Sequence, residues 1–233
     1  MANGYDMKEE YYKTTLEFKS SDEMAETFVA DYKEMLESIQ KYGGFYIGRY
    51  ELSAEGVQKD KATLTKTNWY ALYKICKELK ASEKVKTQMI WGCQWDMACN
   101  FIATKGEQKS TINSSSWGNY RNSTEPANEG NYEQFVKKNT GSNEAWQANN
   151  IYDMAGNCTE WTQEAIGWSR VARGGNYANG GDSESPVFSR SNSWFASPDW
   201  GTSPYVRYSS NSNSKIVVLT LKNRYDILAI SKG

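Results

Sequence analysis

The stretch NNIYDMAGNCTEWTQEA, residues 149–165, is the most informative segment for the fold. It contains the tetrapeptide MAGN, which is predicted to form a turn with Gly156 at its tightest point, while Trp161 anchors the following segment in a core. Asp153 and Glu160 bracket this turn. Two interpretations fit the pair. The carboxylates either hold a hard cation such as calcium together with carbonyl oxygens of the turn, or they cap the turn by accepting hydrogen bonds from its exposed amides.

The composition excludes several classes of function. In 233 residues, 27 Lys and Arg balance 28 Asp and Glu, so no overall field attracts nucleic acid or a membrane surface. Residues 139–214 contain no lysine, which is the reverse of a nucleic-acid groove. The chain has no histidine, so Ser-His-Asp and Cys-His nucleophile pairs and all His-containing metal sites are excluded. No apolar run approaches the roughly 18 residues of a transmembrane helix, so we expect no membrane insertion. The charge distribution leads us to expect no nucleic-acid binding either.

The cysteines and the N-terminus indicate synthesis in a reducing compartment. Cys76, Cys93, Cys99 and Cys158 show no CxxC spacing and are predicted to be free, mostly buried thiols. The N-terminal sequence MANGYDMKEEYYK lacks the apolar segment of a signal peptide. We therefore expect synthesis in the cytoplasm, with the protein serving as a virion (tail) component or displayed on a cell surface.

Hydrophobic periodicity predicts a mixture of helices and strands. Ser20 and Glu23 have the capping-box pattern at the start of a helix. The predicted helices cover 21–41, Lys66 to about Leu79, and Gly92 to about Thr104. The predicted strands cover 45–53 and 215–222. Long ordered loops are predicted at about 105–150. The first helix is interpreted as a core helix or as an assembly face. The predicted organisation is an N-terminal segment and helix (1–41) packed on a main domain (42–222), with a C-terminal tail (223–233).

The stretch at 149–165, with RVARGGNY at 170–177, resembles the formylglycine-generating (sulfatase-modifying factor) family. The pattern of that family is N-V-Y-D-M-x-G-N-V-W-E-W, followed by R-V-x-R-G-G-S. GGFYIGRYELS, TKTNWYALYKICKELK and, more distantly, MIWGCQWDMACNFI are also similar to it, so the resemblance spans roughly residues 42–208. It implies an α+β, C-type-lectin-like fold with much irregular loop structure.

The same resemblance implies a calcium site, while the departures from the family pattern argue against an enzyme. The calcium ligands would be the side chains of Asp153 and Glu160 and the carbonyls of Gly156 and Cys158, with Asp153 standing where the enzymes have Asn. The enzymes oxidise a substrate cysteine with two cysteines downstream of the RGGS motif, and this chain has no cysteine after Cys158. We therefore expect no enzymatic activity and no required cofactor, with calcium possible. A sulfatase-modifying-type oxidase or related iron-dependent enzyme is the alternative function.

The segment after the RGG motif resembles the variable proteins of diversity-generating retroelements. These proteins carry, after the same scaffold, a region whose surface codons are randomised by adenine-directed mutagenesis and which is heavy in Tyr, Ser, Asn, Asp, Gly, Ala and Phe. Residues 176–208 have this composition with Trp added, and they contain no Leu, Ile, Met, Cys or Lys. PVFSRS at 186–191 is similar to the fixed P-A-S-x-R spacing of such regions. Pro186, Ser189 and Arg190 would therefore belong to the scaffold.

Physical chemistry independently favours a recognition surface at 176–208. Tyr and Trp bring large contact areas at low rotamer cost, and Ser, Gly and Asn supply adaptable hydrogen bonds. The alternative is that these aromatics close a loop-rich core. We predict a non-enzymatic receptor or adhesin for a protein or glycan on a cell surface. The sequence predicts no particular oligomeric state. A calcium-dependent sugar lectin fits less well, because 176–208 lacks an E-P-N or Q-P-D signature.

Two sets of residues follow from this prediction. Arg173, Gly174, Gly175 and Arg190 are expected to hold the loops. The predicted ligand contacts are Tyr177, Asn179, Asp182, Ser183, Glu184, Phe188, Ser191, Asn192, Trp194, Phe195, Asp199, Trp200 and Tyr205.

Overall fold

The structure is a computed structural model that describes residues 16–79, 86–124, 136–166 and 169–193, with the backbone of strands at 206–209, 216–221 and 227–231. In this part of the chain the helices are α1 (Ser21–Tyr42), α2 (Trp69–Glu78) and α3 (Gly92–Thr104). The strands are β1 (Gly44–Gly48), β2 (Leu52–Ser53), β3 (Gly56–Val57), β4 (Lys86–Met89), β5 (Gln147–Ala148), β6 (Ile151–Tyr152), β7 (Glu160–Ile166), β8 (Ser169–Arg173), β9 (Arg190–Ser193), β10 (Val206–Ser209), β11 (Ile216–Leu221) and β12 (Ile227–Ser231). The protein thus has mixed α+β structure, with short strands and irregular loops.

Capping residues decide where the helices begin. The Ser20 side chain accepts a hydrogen bond from a first-turn amide of α1 at 3.2 Å, which confirms the predicted start of this helix. The second helix begins at Trp69 rather than at the predicted Lys66. Asn68 caps it by accepting a first-turn amide at 2.9 Å, and Lys66 has a φ of 57°, outside the right-handed helical region. α3 covers the predicted residues.

A five-stranded antiparallel sheet joins the two ends of the chain. Its order is β12-β11-β1-β10-β4, so β1 lies between two strands from the C-terminal part. The predicted strand at 45–53 is wrong as one element. It is split into β1 and β2 because the chain bends at Arg49, whose carbonyl accepts the Tyr152 amide at 2.8 Å. Strand β11 confirms the prediction at 215–222, and β12, from the predicted tail, pairs with it.

Two buried clusters form the core. One contains Phe45, Trp95 and Met154 and lies between β1, α3 and the turn after β6. The other contains Phe28 and Trp69 with neighbours from α1, α2, β7 and β8. Since α1 buries side chains in the second cluster, it is a core helix.

The loops between α3 and β5, and between β8 and β9, carry little regular structure. β8 pairs with both β7 and β9, so this three-stranded sheet holds the chain that leaves the RGG motif. No helix of the described residues is long and apolar enough to cross a bilayer.

Candidate functional site

The turn at 153–160 carries two carboxylates into the interior. It connects β6 to β7, so Asp153 lies just after β6 and Glu160 begins β7, and both side chains are buried. Asp153 Oδ2 accepts hydrogen bonds from the Gly141 amide at 2.7 Å and from the Thr140 hydroxyl at 3.0 Å. Asp153 therefore does accept an amide, as the capping interpretation requires, but from another loop rather than from its own turn.

Glu160 is buried without a hydrogen-bond partner from another residue. Neither carboxylate oxygen has one. The backbone of Gly174 passes so close that a Cβ there would lie 2.4 Å from Glu160 Oε2, and Gly174 also has a φ of +89°, so glycine is required at this position. Burial, and then the charges of Glu51 and Asp153, raise the pKa of Glu160 well above its usual value. Such a carboxylate is stabilised by binding either a proton or a cation.

Glu51 is a third buried carboxylate, which the sequence analysis missed. Its Oε2 accepts hydrogen bonds from the Thr63 hydroxyl at 2.5 Å and from the Asn157 amide group at 2.6 Å, while Oε1 has no partner. Burial, followed by the nearby Asp153, raises the pKa of Glu51 well above its usual value. Burial also raises the pKa of Asp153 to about 7, although the bonds from Gly141 and Thr140 oppose this shift. The only sequence signal was a Glu within the strand predicted at 45–53.

The predicted calcium ligands fit a cation in part. Glu160 fits, because both of its oxygens are unpartnered and buried. Asp153 has one oxygen engaged by two donors. Among the described residues no three Asp, Glu, Cys or His side chains are arranged to hold a metal. A cation here would thus depend on the two carboxylates together with the carbonyls of Gly156 and Cys158.

The segment 176–189 is held against the loop 110–124 through its backbone. The Gly181 carbonyl accepts the Ser114 amide at 2.7 Å, and the Asn179 carbonyl accepts the Arg121 amide at 3.0 Å. In the other direction, the Phe188 amide donates to the Thr111 carbonyl at 3.1 Å. The Val187 and Gly181 amides donate to the side chains of Ser114 at 2.9 Å and Asn122 at 2.8 Å. We call residues 110–124 and 176–189 the paired loops.

Tyr120 lies at the centre of the paired loops and is fully buried. Its hydroxyl donates to the Gly174 carbonyl at 2.6 Å and accepts from the Ser114 hydroxyl at 3.0 Å. Its ring lies against the backbone of Gly181, where a Cβ would be 2.5 Å from the nearest ring carbon. The paired loops therefore close over one tyrosine, which requires glycine at position 181.

The side chains of the predicted contact residues point mainly outward. Ser183, Glu184, Ser191 and Asn192 are exposed and Tyr177, Asn179 and Asp182 are half-buried. Phe188 is 47% exposed, which is unusual for a large apolar side chain. Three of these residues also have partners within the paired loops: Glu184 forms an ion pair with Arg121, Asp182 accepts from Asn122, and Asn179 donates to Glu184. Trp194, Phe195, Asp199, Trp200 and Tyr205 lie outside the described residues.

Two arginines brace the base of this region, as expected. Arg173, at the end of β8, is buried and forms an ion pair with Asp96 of α3. Its guanidinium carbon lies 5.6 Å from the centre of the Phe188 ring, so it also supports that ring from below. Arg190, at the start of β9, forms an ion pair with Glu164 of β7. Neither Asp96 nor Glu164 was singled out in the sequence, since their pairing depends on tertiary contacts.

Three of the four thiols lack the environment of reactive cysteines. Cys76, Cys99 and Cys158 are buried, and Cys93 is exposed. Burial raises the pKa of Cys99 to about 12 and raises the pKa values of Cys76 and Cys158 as well. These three thiols therefore stay protonated near neutral pH, whereas nucleophilic or metal-binding cysteines act as thiolates.

Comparison with known proteins gives a structural similarity. No family model matches the chain, and no curated protein matches it. Among solved structures, the chain is similar to Treponema denticola variable protein 1, with 17% sequence identity and a TM-score of 0.46. The similarity covers 71% of this chain and 84% of that chain.

Proposed function

We propose that this protein is a ligand-binding receptor or adhesin that displays a diversified surface, residues 176–208, on a C-type-lectin-like scaffold. The observation that carries the proposal is the division of roles in the described part of that region. Its backbone is bonded to the loop 110–124, whereas five of the eight predicted contact residues that the structure describes there are exposed. The target would be a protein or glycan on a cell surface, and the protein would act from a virion or from another cell surface.

This division of roles is what a sequence-tolerant surface needs. A loop held by backbone amides and carbonyls keeps its shape when an exposed side chain is exchanged, because no exchanged atom takes part in those bonds. Positions that cannot change are filled by residues with a steric reason, such as Gly181 against the Tyr120 ring. Exposed positions such as Ser183 and Ser191 carry no comparable constraint.

A C-type-lectin-like fold is the finer interpretation of the α+β structure. The motifs at 149–165 and 170–177 support it through their resemblance to the formylglycine-generating family. Their placement supports it as well, since the turn lies directly below the RGG segment and Gly174 packs on Glu160. In this fold the ligand-binding surface would begin where β8 ends.

We further propose that calcium, when bound, acts as a structural cofactor at this turn. Glu160 and Asp153 would hold it with their carboxylates, and Gly156 and Cys158 with their carbonyls. The unpartnered oxygens of Glu160 support this assignment. The ion would neutralise buried negative charge and hold the turn against the RGG segment.

The alternative, an oxidase of the sulfatase-modifying type, is less well supported. Its chemistry in the resembled enzymes depends on cysteines after the RGG motif, and this chain has none there. The buried thiols elsewhere have raised pKa values, which disfavours thiolate chemistry. Oxygen consumption with thiol substrates and added copper or iron would distinguish the two functions, since sustained turnover would contradict the binding proposal.

The diversification is tested in the DNA that surrounds the gene. We expect a near-copy of the coding segment for about residues 170–210, different mainly at adenines and close to a reverse-transcriptase gene. A locus without such a copy would contradict diversification. The binding role is tested separately by replacing Ser183, Glu184, Phe188, Ser191 and Asn192 together with alanine, which should abolish ligand binding and leave the fold intact.

A further inference from the structure

We propose that Ile112 and Phe188 together form an apolar anchor site for a protein partner that presents an uncharged apolar side chain. The inference rests on the proposed ligand-binding function and extends its surface to the loop before Trp117, outside the region 176–208. Ile112 is not among the predicted contact residues. It would belong to the constant part of the molecule, whatever residues occupy the diversified positions.

The two side chains are exposed on two segments of the paired loops that are hydrogen-bonded through their backbones. Ile112 is 75% exposed and Phe188 is 47% exposed. The Phe188 amide donates to the carbonyl of Thr111, which directly precedes Ile112, at 3.1 Å. The backbones that carry the two apolar groups are therefore hydrogen-bonded neighbours. A partner that covers this apolar surface gains free energy from its removal from water.

The loop that carries Ile112 is fixed before any partner binds. The buried Trp117 donates its indole N–H to the Ser110 carbonyl at 2.9 Å, and the Ser114 amide donates to the Gly181 carbonyl at 2.7 Å. On the other side, the buried Arg173 lies beneath the Phe188 ring. Because the loop that carries Ile112 and the ring of Phe188 are already held in place, this protein loses little conformational entropy when a partner binds.

The charges around the anchor select the chemistry of the partner. Residues 110–120 and 185–189 contain no charged side chain. The nearest charges in sequence are paired within the protein, Arg121 with Glu184, Arg190 with Glu164, and Lys109 with Glu107. A nucleic acid or an anionic polymer would find no unpaired cation on these two segments. A neutral, apolar contact is complementary to this part of the surface.

A protein side chain fits the anchor better than a sugar does. A sugar laid on Ile112 would bury hydroxyl groups against an aliphatic side chain that cannot hydrogen-bond to them, which is unfavourable. An aliphatic or aromatic side chain gains from the same burial. The neighbouring hydroxyls of Ser110 and Ser189 and the amide of Asn113 then supply a polar rim, the arrangement typical of protein interfaces.

Selection from libraries tests the anchor even though the natural partner is unidentified. A phage-displayed library of random peptides and an array of immobilised glycans are each offered to the wild-type protein, and the affinities of the retained ligands are measured by calorimetry. Ile112→Ser should weaken the selected peptides about tenfold or more. Leu36→Ser, which removes an exposed apolar side chain from α1, is the matched control and should leave binding within about twofold. Melting temperatures establish that both variants are folded.

Each outcome supports or overturns the inference. Peptides with an apolar residue in common, weakened by Ile112→Ser and not by Leu36→Ser, support it. A further sign of support is coupling between Ile112→Ser and Phe188→Ala in a double-mutant cycle. Peptides that bind both variants equally well, or retention of glycans in place of peptides, overturn the anchor while the proposed binding function stands. If neither peptides nor glycans are retained, the proposed function fails as well.

Discussion

Replacing Gly181 with alanine tests the claim that the backbone of the paired loops is fixed by packing. A Cβ at this position would lie 2.5 Å from a ring carbon of Tyr120. That ring has little room to move, because Tyr120 is fully buried and its hydroxyl is bonded to the Gly174 carbonyl at 2.6 Å. The added methyl group must therefore displace either the ring or the 181 backbone, which holds two of the hydrogen bonds between the loops.

The neighbouring Gly180 is a matched control for this substitution. A Cβ there would meet Asp182 Oδ1 at 2.9 Å and Glu184 Oε2 at 3.1 Å, both at the ends of flexible, partly exposed side chains. These groups can rotate away, with loss of the hydrogen bond that Glu184 Oε2 accepts from the Gly180 amide. We expect Gly180→Ala to lower the free energy of unfolding by no more than about 1 kcal/mol. Overpacking in a closed core costs about 1–3 kcal/mol, so we expect a loss of about 2 kcal/mol for Gly181→Ala.

Denaturant titration and thermal melting followed by circular dichroism measure both variants. For a chain of this size, about 2 kcal/mol corresponds to a decrease of roughly 4–8 °C in Tm. Equal stability of Gly181→Ala and Gly180→Ala, whether or not both are less stable than the wild type, would contradict this prediction. It would mean that Tyr120 does not hold the loops.

Other measurements test the buried acids and the thiols. With calcium chelated, the free energy of unfolding should fall by as much as about 4 kcal/mol between about pH 4 and pH 7. Folding raises the pKa of Asp153 to about 7, so over this range the folded state keeps a proton that the unfolded chain releases. Higher stability near pH 8 than near pH 5 would contradict this prediction. Calcium at about 100 times its Kd should stabilise the wild type by about 2.7 kcal/mol and leave Glu160→Ala unchanged in thermal melts. A thiol reagent should modify Cys93 in the native protein, and Cys76, Cys99 and Cys158 only after unfolding.

The sequence predicts those elements whose determinants are local. The starts of α1 and α3 and the position of β11 are of this kind, because caps and apolar periodicity lie within the segment itself. The break after β1 was not predictable in the same way. It depends on a hydrogen bond between Arg49 and Tyr152, which are distant in the sequence. The order of the central sheet likewise depends on pairing between the two ends of the chain.

The candidate site divides along the same line. Asp153, Glu160 and the outward-facing residues of 176–192 followed from motif and composition. Glu51 was not predicted, because a single Glu in a predicted strand does not indicate that the side chains of Thr63 and Asn157 will bond to it. Ile112 was also missed, since an isolated apolar residue in a serine-rich loop becomes informative only when its exposure is known.

The turn at 153–160 and the predicted contact surface at 176–192 are parts of one packed unit. Glu160 lies against Gly174, the Gly174 carbonyl accepts the Tyr120 hydroxyl, and the Tyr120 ring lies against Gly181. Because these three contacts connect Glu160 to Gly181, we expect a change in the charge of Glu160 to alter the stability of the paired loops. A cation at the turn would thus stabilise the frame of the binding surface without touching the ligand. In this proposal the buried residues of the turn and of the RGG motif keep their identity because close contacts require it. The exposed side chains of 176–192 can differ without disturbing the fold.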